Sequence, residues 1–379
     1  MRPQRARPPV LVLVFALVVA GCTTGPVGLV PTGPPAPRLP ANAAADYGGA
    51  KTDGPVLHVA PDGDDTASGE PDTPLRTIAA AAARATPGTA VRVGAGRYNG
   101  DITTDATGTP GARIAFVAQS PQVELIGTGS TIGAWENNGD YVDIIGFNIS
   151  GPNEDGIYNR GSNVRIMNNR VYGFATGNCI ATGNTDYDLT NIDVIGNVVN
   201  GCGNNELDHG IYVGHQGGTI ANNIAYGSPG FGIHCWQACA QMVITSNLVF
   251  DNDEGGIVVG AAHEDAVADD VLVSNNIVVG NGRDGIREGG ATGGNNRYRN
   301  NLLWNNERDR ILLKLGNEAD TIVADPLFID YRPDGSGDYR LQPSSPAVNG
   351  GFTDSSPSAA IDGTPRPQGG AVDCGVYEQ

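Results

Sequence analysis

Six short segments carry most of the side chains that could do chemistry, and each begins with a Gly-Ile or Cys-Ile pair. The pairs are Gly156-Ile157, Cys179-Ile180, Gly210-Ile211, Gly232-Ile233, Gly256-Ile257 and Gly285-Ile286. The residue after the isoleucine has a ring or a positive charge in four segments: Tyr158, Tyr212, His234 and Arg287. Apolar and polar residues alternate here, which predicts β-strands with the isoleucine inside and the next residue outside.

Further polar and aromatic residues fall on the same side of these predicted strands. The second outward positions hold Arg160 and Trp236, and the preceding turns hold Glu154, Asp208, His209, Glu254, Arg283 and Asp284. Strands stacked about 4.8 Å apart would align them in one strip. Flat rings stack on sugar faces, and charged groups bind hydroxyls and uronates. We therefore expect four residues to bind a glycan: Tyr158, Arg160, Trp236 and Arg283.

Three functions remain open for this strip. A lyase needs a cation beside the uronate carboxylate, either Arg287 or Ca²⁺ held by Asp208 and Glu254, and a base. The candidate bases are His234, His209 and Tyr212. An inverting glycoside hydrolase would instead use Asp208 and Glu254, which two coils would separate by about 9.6 Å. In the third function the strip binds glycan without turnover. Some of these residues also have a purely structural interpretation, in which Tyr158 and Tyr212 are packing pairs between coils and Arg287 and Glu288 a surface ion pair.

An asparagine returns in a similar setting seven times, at Asn148, Asn169, Asn197, Asn223, Asn247, Asn276 and Asn301. The steps between them are 21, 28, 26, 24, 29 and 25 residues, a period typical of a solenoid of stacked units. Other β-branched segments lie between the two markers, so each repeat holds three strands. We predict an all-β parallel solenoid in which isoleucine stacks on isoleucine and asparagine side chains form a ladder.

The chain resembles the right-handed parallel β-helix superfamily, the pectate-lyase-like proteins, over residues 55–350. The resemblance rests on repeats such as Gly156–Phe174 and on two flanking segments, Leu57–Tyr98 and Asp325–Gly351, that look like terminal modules of secreted bacterial β-helix proteins. It implies a right-handed parallel β-helix with three strands per coil. It implies little about substrate, because the superfamily includes lyases, hydrolases, epimerases and non-enzymatic surface proteins.

Two departures weaken the link to particular enzymes of that superfamily. The lysine expected of many pectate lyases has no counterpart in the strip, since beyond the signal segment the chain has only Lys51 and Lys314. Asn184-Thr185-Asp186 is similar to one motif of polygalacturonase-type hydrolases, but the accompanying paired aspartates and Gly-His-Gly are absent.

The ends of the chain predict export and capping. Residues 1–21 have the anatomy of a signal peptide, and Val19–Cys22 resembles a lipobox, which implies lipidation at Cys22; an ordinary secretory signal is the alternative. Residues 22–52 are a Pro/Gly/Ala tether. Residues 53–100 form an N-terminal capping module with a helix over Thr73–Arg84, residues 101–323 the repeats, and residues 324–379 an irregular C-terminal cap that also straps the side.

Charge and cysteines limit the partners. The net charge is −18, or −21 once the three arginines of the signal are removed, which excludes nucleic acid and disfavours polyuronates. Six cysteines suit an exported chain, and we expect a Cys235–Cys239 disulfide, with Cys179–Cys202 the weaker pair.

We therefore expect a monomeric, lipid-anchored protein on a bacterial cell surface that acts on or binds polysaccharide. No cofactor other than Ca²⁺ is indicated. A lyase-like enzyme is the first hypothesis; a carbohydrate-binding or envelope scaffold protein and an inverting hydrolase are the alternatives.

Overall fold

The computed structural model describes residues 54–262 and 266–379, in which the chain winds through stacked coils of β-strands. Each complete coil contributes one strand to each of three parallel sheets. The first sheet contains, in spatial order, β1 (Val56–Val59), β2 (Ala90–Val93), β5 (Ile114–Ala118), β8 (Val142–Ile145), β11 (Arg165–Met167), β14 (Asp193–Ile195), β17 (Gln216–Ala221), β20 (Ala240–Thr245), β23 (Leu272–Ser274), β26 (Arg297–Arg299) and β29 (Asn317–Ala319).

The other two sheets follow the same order along the axis. The second sheet contains β4 (Ile102–Thr104), β7 (Gly133–Asn137), β10 (Asp155–Asn159), β13 (Ile180–Gly183), β16 (Ile211–Gly214), β19 (Phe231–Cys235), β22 (Gly255–Ala261), β25 (Asp284–Gly290) and β28 (Arg308–Leu312). The third sheet contains β3 (Gly96–Asn99), β6 (Val123–Ile126), β9 (Asn148–Ser150), β12 (Arg170–Tyr172), β15 (Val198–Asn200), β18 (Ile224–Tyr226), β21 (Leu248–Phe250), β24 (Ile277–Val279), β27 (Leu302–Trp304) and β30 (Ile322–Val323).

The isoleucines of the second sheet form a continuous column inside the coils. Each is paired in register with the next and is fully buried: Ile157, Ile180, Ile211, Ile233, Ile257 and Ile286. Burying one such side chain contributes about 1.5–3 kcal/mol. Because the register fixes the inward residue of every coil, it also fixes which residues face out. The prediction of an all-β parallel solenoid is confirmed.

An asparagine ladder runs along the interior from Asn169 to Asn301. The Nδ2 of Asn197, for example, donates to Oδ1 of Asn223 at 3.1 Å and to the carbonyl of Ile166 at 2.8 Å. The inclusion of Asn148 in this ladder was wrong. Asn148 pairs with Arg170 instead, and Phe147 occupies the ladder position with its backbone N–H on Oδ1 of Asn169.

The N-terminal helix α1 is shorter than predicted and spans Ile78–Arg84. Thr77 caps it by accepting from the N–H of Ala80, while Oδ1 of Asp65 accepts the N–H groups of Arg76 and Thr77. Leu75 forms a bridge with Val59. Residues 73–76 are therefore extended rather than helical. Ile78, Ala81 and Ala82 are buried against the first coil.

The C-terminal segment returns along the outer face of the third sheet. It contains the antiparallel pair β31 (Phe328–Asp330) and β32 (Asp338–Leu341) and a 3₁₀ helix at Thr353–Ser355. Its apolar side chains pack on outward residues of the third sheet: Ile224, Tyr226, Leu248, Phe250, Ile277 and Leu302. This face is covered, whereas none of the described residues forms such a strap over the outer face of the second sheet.

The predicted signal peptide, the lipidation at Cys22 and the tether lie outside the described residues. Across the part that is described, no helix combines the length and the apolar character needed to cross a membrane.

Candidate functional site

The outer face of the second sheet carries one outward residue per coil in register, with one irregularity between β25 and β28 just before Ile286. In chain order the column is Thr103, Glu136, Tyr158, Ala181, Tyr212, His234, Val258, Arg287 and Leu312. Neighbours are about 4.8 Å apart, so Arg287 lies about 9.6 Å beyond His234. We use the name outer strip for Tyr158, Tyr212, His234, Trp236 and Arg287, all of which are half-buried.

A pair of histidines forms the centre of the outer strip. Nδ1 of His234 is hydrogen-bonded to Nε2 of His209, and the two rings meet edge to face with centroids 4.0 Å apart. Nδ1 of His209 accepts the backbone N–H of Phe231 at 3.0 Å. His209 is only 2% exposed, so it lies behind His234 rather than beside it on the surface.

Burial keeps both imidazoles neutral. It lowers the pKa of His209 to about 3. Burial, followed by the adjacent His209, lowers the pKa of His234 well below its usual value. A charged imidazolium is disfavoured in such a site because it would lose hydration without gaining a carboxylate partner.

Tyr212 adjoins the histidine pair and is also neutral. Its ring stacks on His209 at 6.0 Å and meets His234 edge to face at 5.5 Å. Burial, with a smaller effect of Tyr187, raises the pKa of the Tyr212 hydroxyl to about 12. Tyr212 is therefore a hydroxyl donor at neutral pH and not a base.

The ring of Trp236 packs against glycine residues of the neighbouring coils. Its ring is 5.1 Å from His234, and its backbone N–H donates to the carbonyl of Val213, which places it beside Gly214. A Cβ at Gly260 or Gly289 would lie 2.5 or 2.8 Å from the indole. A larger residue at Gly289 would meet the indole first, whereas one at Gly260 would also clash with the carbonyl of Gly289 at 2.2 Å, so glycine is required at both positions.

Two disulfides border the outer strip. Cys235–Cys239 closes the short loop that carries Trp236 and Gln237, and Cys179–Cys202 links the adjacent coils. Gln237 has φ of 68°, a left-handed conformation that a tight loop imposes. The remaining cysteine in the described part, Cys374, is buried and free.

The two carboxylates considered for catalysis and for Ca²⁺, Asp208 and Glu254, already have partners. Oδ2 of Asp208 accepts the N–H of Asn204 at 2.9 Å and Nδ2 of Asn205 at 2.7 Å, while Glu254 pairs with Arg283 at 2.8 Å. No group of three His, Cys, Asp or Glu side chains suited to a metal occurs in residues 54–262 and 266–379. Asp208 and Glu254 therefore do not fit a Ca²⁺ site, and we assign Ca²⁺ no catalytic role at these two residues.

Charges at the two ends of the outer strip differ in their pairing. At one end, Arg160 lies over the ring of Tyr158 at 5.1 Å and pairs with Glu136 at 3.3 Å. At the other end, no carboxylate of the described residues forms an ion pair with Arg287. The surface ion pair considered for Glu288 is wrong: Glu288 faces inward and accepts backbone N–H groups of residues 314–316.

Asp155 and Asn178 were missed by the sequence reasoning. They form a hydrogen-bonded chain toward the histidine pair: the N–H of Asn178 donates to Asp155 at 2.6 Å, and the N–H of His209 donates to Oδ1 of Asn178 at 2.9 Å. Burial, against the opposing hydrogen bonds from Asn178, raises the pKa of Asp155 to about 6. The available signal was their position two residues before the buried isoleucine, the same position that His209 has.

Comparisons with known proteins identify the architecture. The family model described as "Right handed beta helix region" matches residues 130–323. The fold is similar to that of pectate lyase Pel9A, at 16% identity over 89% of this chain and 100% of that one, with a TM-score of 0.65. The periplasmic alginate epimerase AlgG (12% identity, 63% and 61% of the chains, TM-score 0.48) and alginate lyase from Paenibacillus sp. str. FPU-7 (14%, 65% and 93%, TM-score 0.47) are more distant. Curated protein sequences give no significant match.

Proposed function

The chain belongs to the right-handed β-helix family, and on that basis we propose that it binds a polysaccharide along its outer strip. One observation carries this proposal. Tyr158, Tyr212, His234 and Trp236 project from one face in register, each half-buried and each offering a ring. A chain of sugars also repeats along one axis, so its units can stack on successive rings.

The polarity of the strip favours an uncharged glycan segment. Tyr212 and His234 are neutral donors, and the arginines Arg160 and Arg283 are already paired with carboxylates. Asp155, Glu154 and Asp208 add negative charge nearby. A polyuronate would have to approach this surface against the net charge of −18.

A second candidate, elimination at a uronate, is supported by Arg287 alone. Its guanidinium has no ion-pair partner among the described residues and could neutralise a substrate carboxylate two coils from His234. The similar structures named as lyases or as an epimerase resemble this chain in fold. Similarity in fold does not assign their activity to it, so elimination stays a proposal.

The experiment measures retention of the purified protein on neutral β-glucan, xylan and galactan and on polygalacturonate and alginate. Trp236→Ala should weaken binding about tenfold or more, whereas Trp304→Ala should not. Trp304 is a matched control because it is 38% exposed on the third sheet. Absorbance of unsaturated product and release of reducing ends, with and without Ca²⁺, test the lyase and the hydrolase. Equal loss of binding in both variants would refute the assignment of the face.

We also propose that the protein is exported and anchored through Cys22. The two disulfides support an oxidising compartment. Mass spectrometry of the mature N-terminus tests the anchor: a diacylated Cys22 is expected, and a chain that still begins at Met1 would contradict export through this signal.

A further inference from the structure

The hydrogen bonds of His209 determine where its proton resides. Its Nδ1 accepts the backbone N–H of Phe231, which can only donate. The proton of neutral His209 is therefore on Nε2, and this nitrogen faces Nδ1 of His234. His209 thus donates to His234, and the direction of the bond is fixed by the backbone.

The same reasoning extends to His234. Because its Nδ1 is the acceptor, its own proton is on Nε2, on the opposite side of the ring. This Nε2 has no hydrogen-bond partner among residues 54–262 and 266–379 and is not enclosed by them, so it is open to a ligand. The outward-facing nitrogen of His234 has no lone pair to receive a proton.

We propose that His209 is a positioning residue that holds His234 as a neutral Nε2–H donor toward a sugar oxygen. The sugar ligand rests on the proposed function. The tautomer of His234 distinguishes glycan binding from elimination at a uronate. A donor at this position favours recognition of hydroxyl or ring oxygens of an uncharged glycan. Proton abstraction by His234 would require the opposite tautomer.

The groups packed around His234 support this assignment. They are His209, Tyr212, Phe231 and Trp236, together with Val258 on the next strand. His209 and Tyr212 are the titratable ones, and both are neutral at pH 7. No carboxylate acts on His234 in the described residues, so nothing there would hold an imidazolium.

His209 is itself held in place from the other side. Its backbone N–H donates to Asn178, which is in turn bound to Asp155. Gly230 leaves the space for its ring, because a Cβ there would lie 2.3 Å from Nδ1 of His209. The ring therefore cannot turn without breaking both the Phe231 and the His234 hydrogen bonds.

The test is ¹⁵N NMR of the full chain with ¹⁵N-labelled histidine, and it needs no ligand. The expected result is a protonated Nε2 and an unprotonated Nδ1 for His234, unchanged from pH 8 to pH 5. A protonated Nδ1 alone, or an imidazolium at pH 7, overturns the proposal. If this tautomer is found and no glycan binds, the proposed function fails while the assignment of His209 stands.

Two variants of His209 test whether its hydrogen bond to His234 affects glycan binding. His209→Leu removes the donor and should weaken binding of the best glycan from the panel about tenfold, while His209→Gln keeps an N–H at the Nε2 position and should restore most of it. In the Asp155→Asn variant, which removes the carboxyl group whose pKa is about 6, binding should be flat between pH 5 and pH 8. Loss of binding in His209→Gln equal to that in His209→Leu, with both variants folded by circular dichroism, would contradict the positioning role.

Discussion

Asp155→Asn should stabilise the protein at neutral pH and have no effect in acid. Asp155 is 5% exposed, and burial raises its pKa from 3.8 to about 6. The folded state therefore binds the proton more tightly than the unfolded state, so stability falls as pH rises from 3.8 through 6 and then levels off. Above pH 7, where Asp155 is charged in both states, this pKa difference lowers the free energy of unfolding by about 3 kcal/mol.

Asparagine is a close replacement at this position. Both hydrogen bonds from Asn178 end on Oδ1 of Asp155, which asparagine retains, and none of the described residues donates to Oδ2. Denaturant unfolding between pH 4 and pH 8 measures the effect. The expected gain is about 1–3 kcal/mol at pH 7.5 and close to zero at pH 4.

Asp101 provides a control with the opposite sign. Burial raises the pKa of Asp101, but hydrogen bonds from Thr128, Asn153 and Ser130 outweigh it and the pKa is lowered. Asp101→Asn should therefore destabilise the protein at pH 7 and matter less in acid. A gain for Asp155→Asn that is the same at every pH would refute the burial argument.

Three further predictions follow from the described contacts. Burial lowers the pKa of His209 and His215 to about 3, so the stabilisation from their neutral forms is complete above pH 6.5 and should fall by about 1.4 kcal/mol per pH unit for each as pH drops toward 3. A melting temperature independent of pH between 7 and 4 would contradict this. Asn223→Ala removes four ladder hydrogen bonds and should cost about 3–5 kcal/mol in chemical unfolding, whereas Asn148→Ala should cost less than about 1, and equal costs would refute the ladder. Gly289→Ala should displace the indole and lower glycan affinity about tenfold in titration calorimetry, and unchanged affinity would show that the position of the ring does not matter.

Periodicity was sufficient to predict the parts of the fold that repeat. The Gly-Ile pairs placed Ile157 to Ile286 in one interior column, and the outward positions of Tyr158, Tyr212, His234 and Arg287 followed from strand alternation. The one wrong member of the ladder carried its own warning. Two residues after Asn148 comes the polar Ser150, whereas every true ladder member has an apolar, inward-facing residue at that position: Val171, Val199, Ala225, Val249, Val278 and Leu303.

The contacts within the site could not be obtained from spacing. The hydrogen bond from Phe231 to His209, and hence the tautomer of His234, depends on ring orientation. The same holds for Asp208 and Glu254, which have the spacing of a catalytic pair but are bound to Asn204 and Arg283. A sequence pattern shows which side chains share a face. It does not show which of them already have a hydrogen-bond or ion-pair partner.

A crystal structure of the protein with an oligosaccharide from the best-binding glycan tests the central claim most directly. The expected result is a sugar ring stacked on Trp236, with one of its oxygens accepting from Nε2 of His234. An oligosaccharide bound on the first or third sheet, with the outer strip bare, would contradict the account.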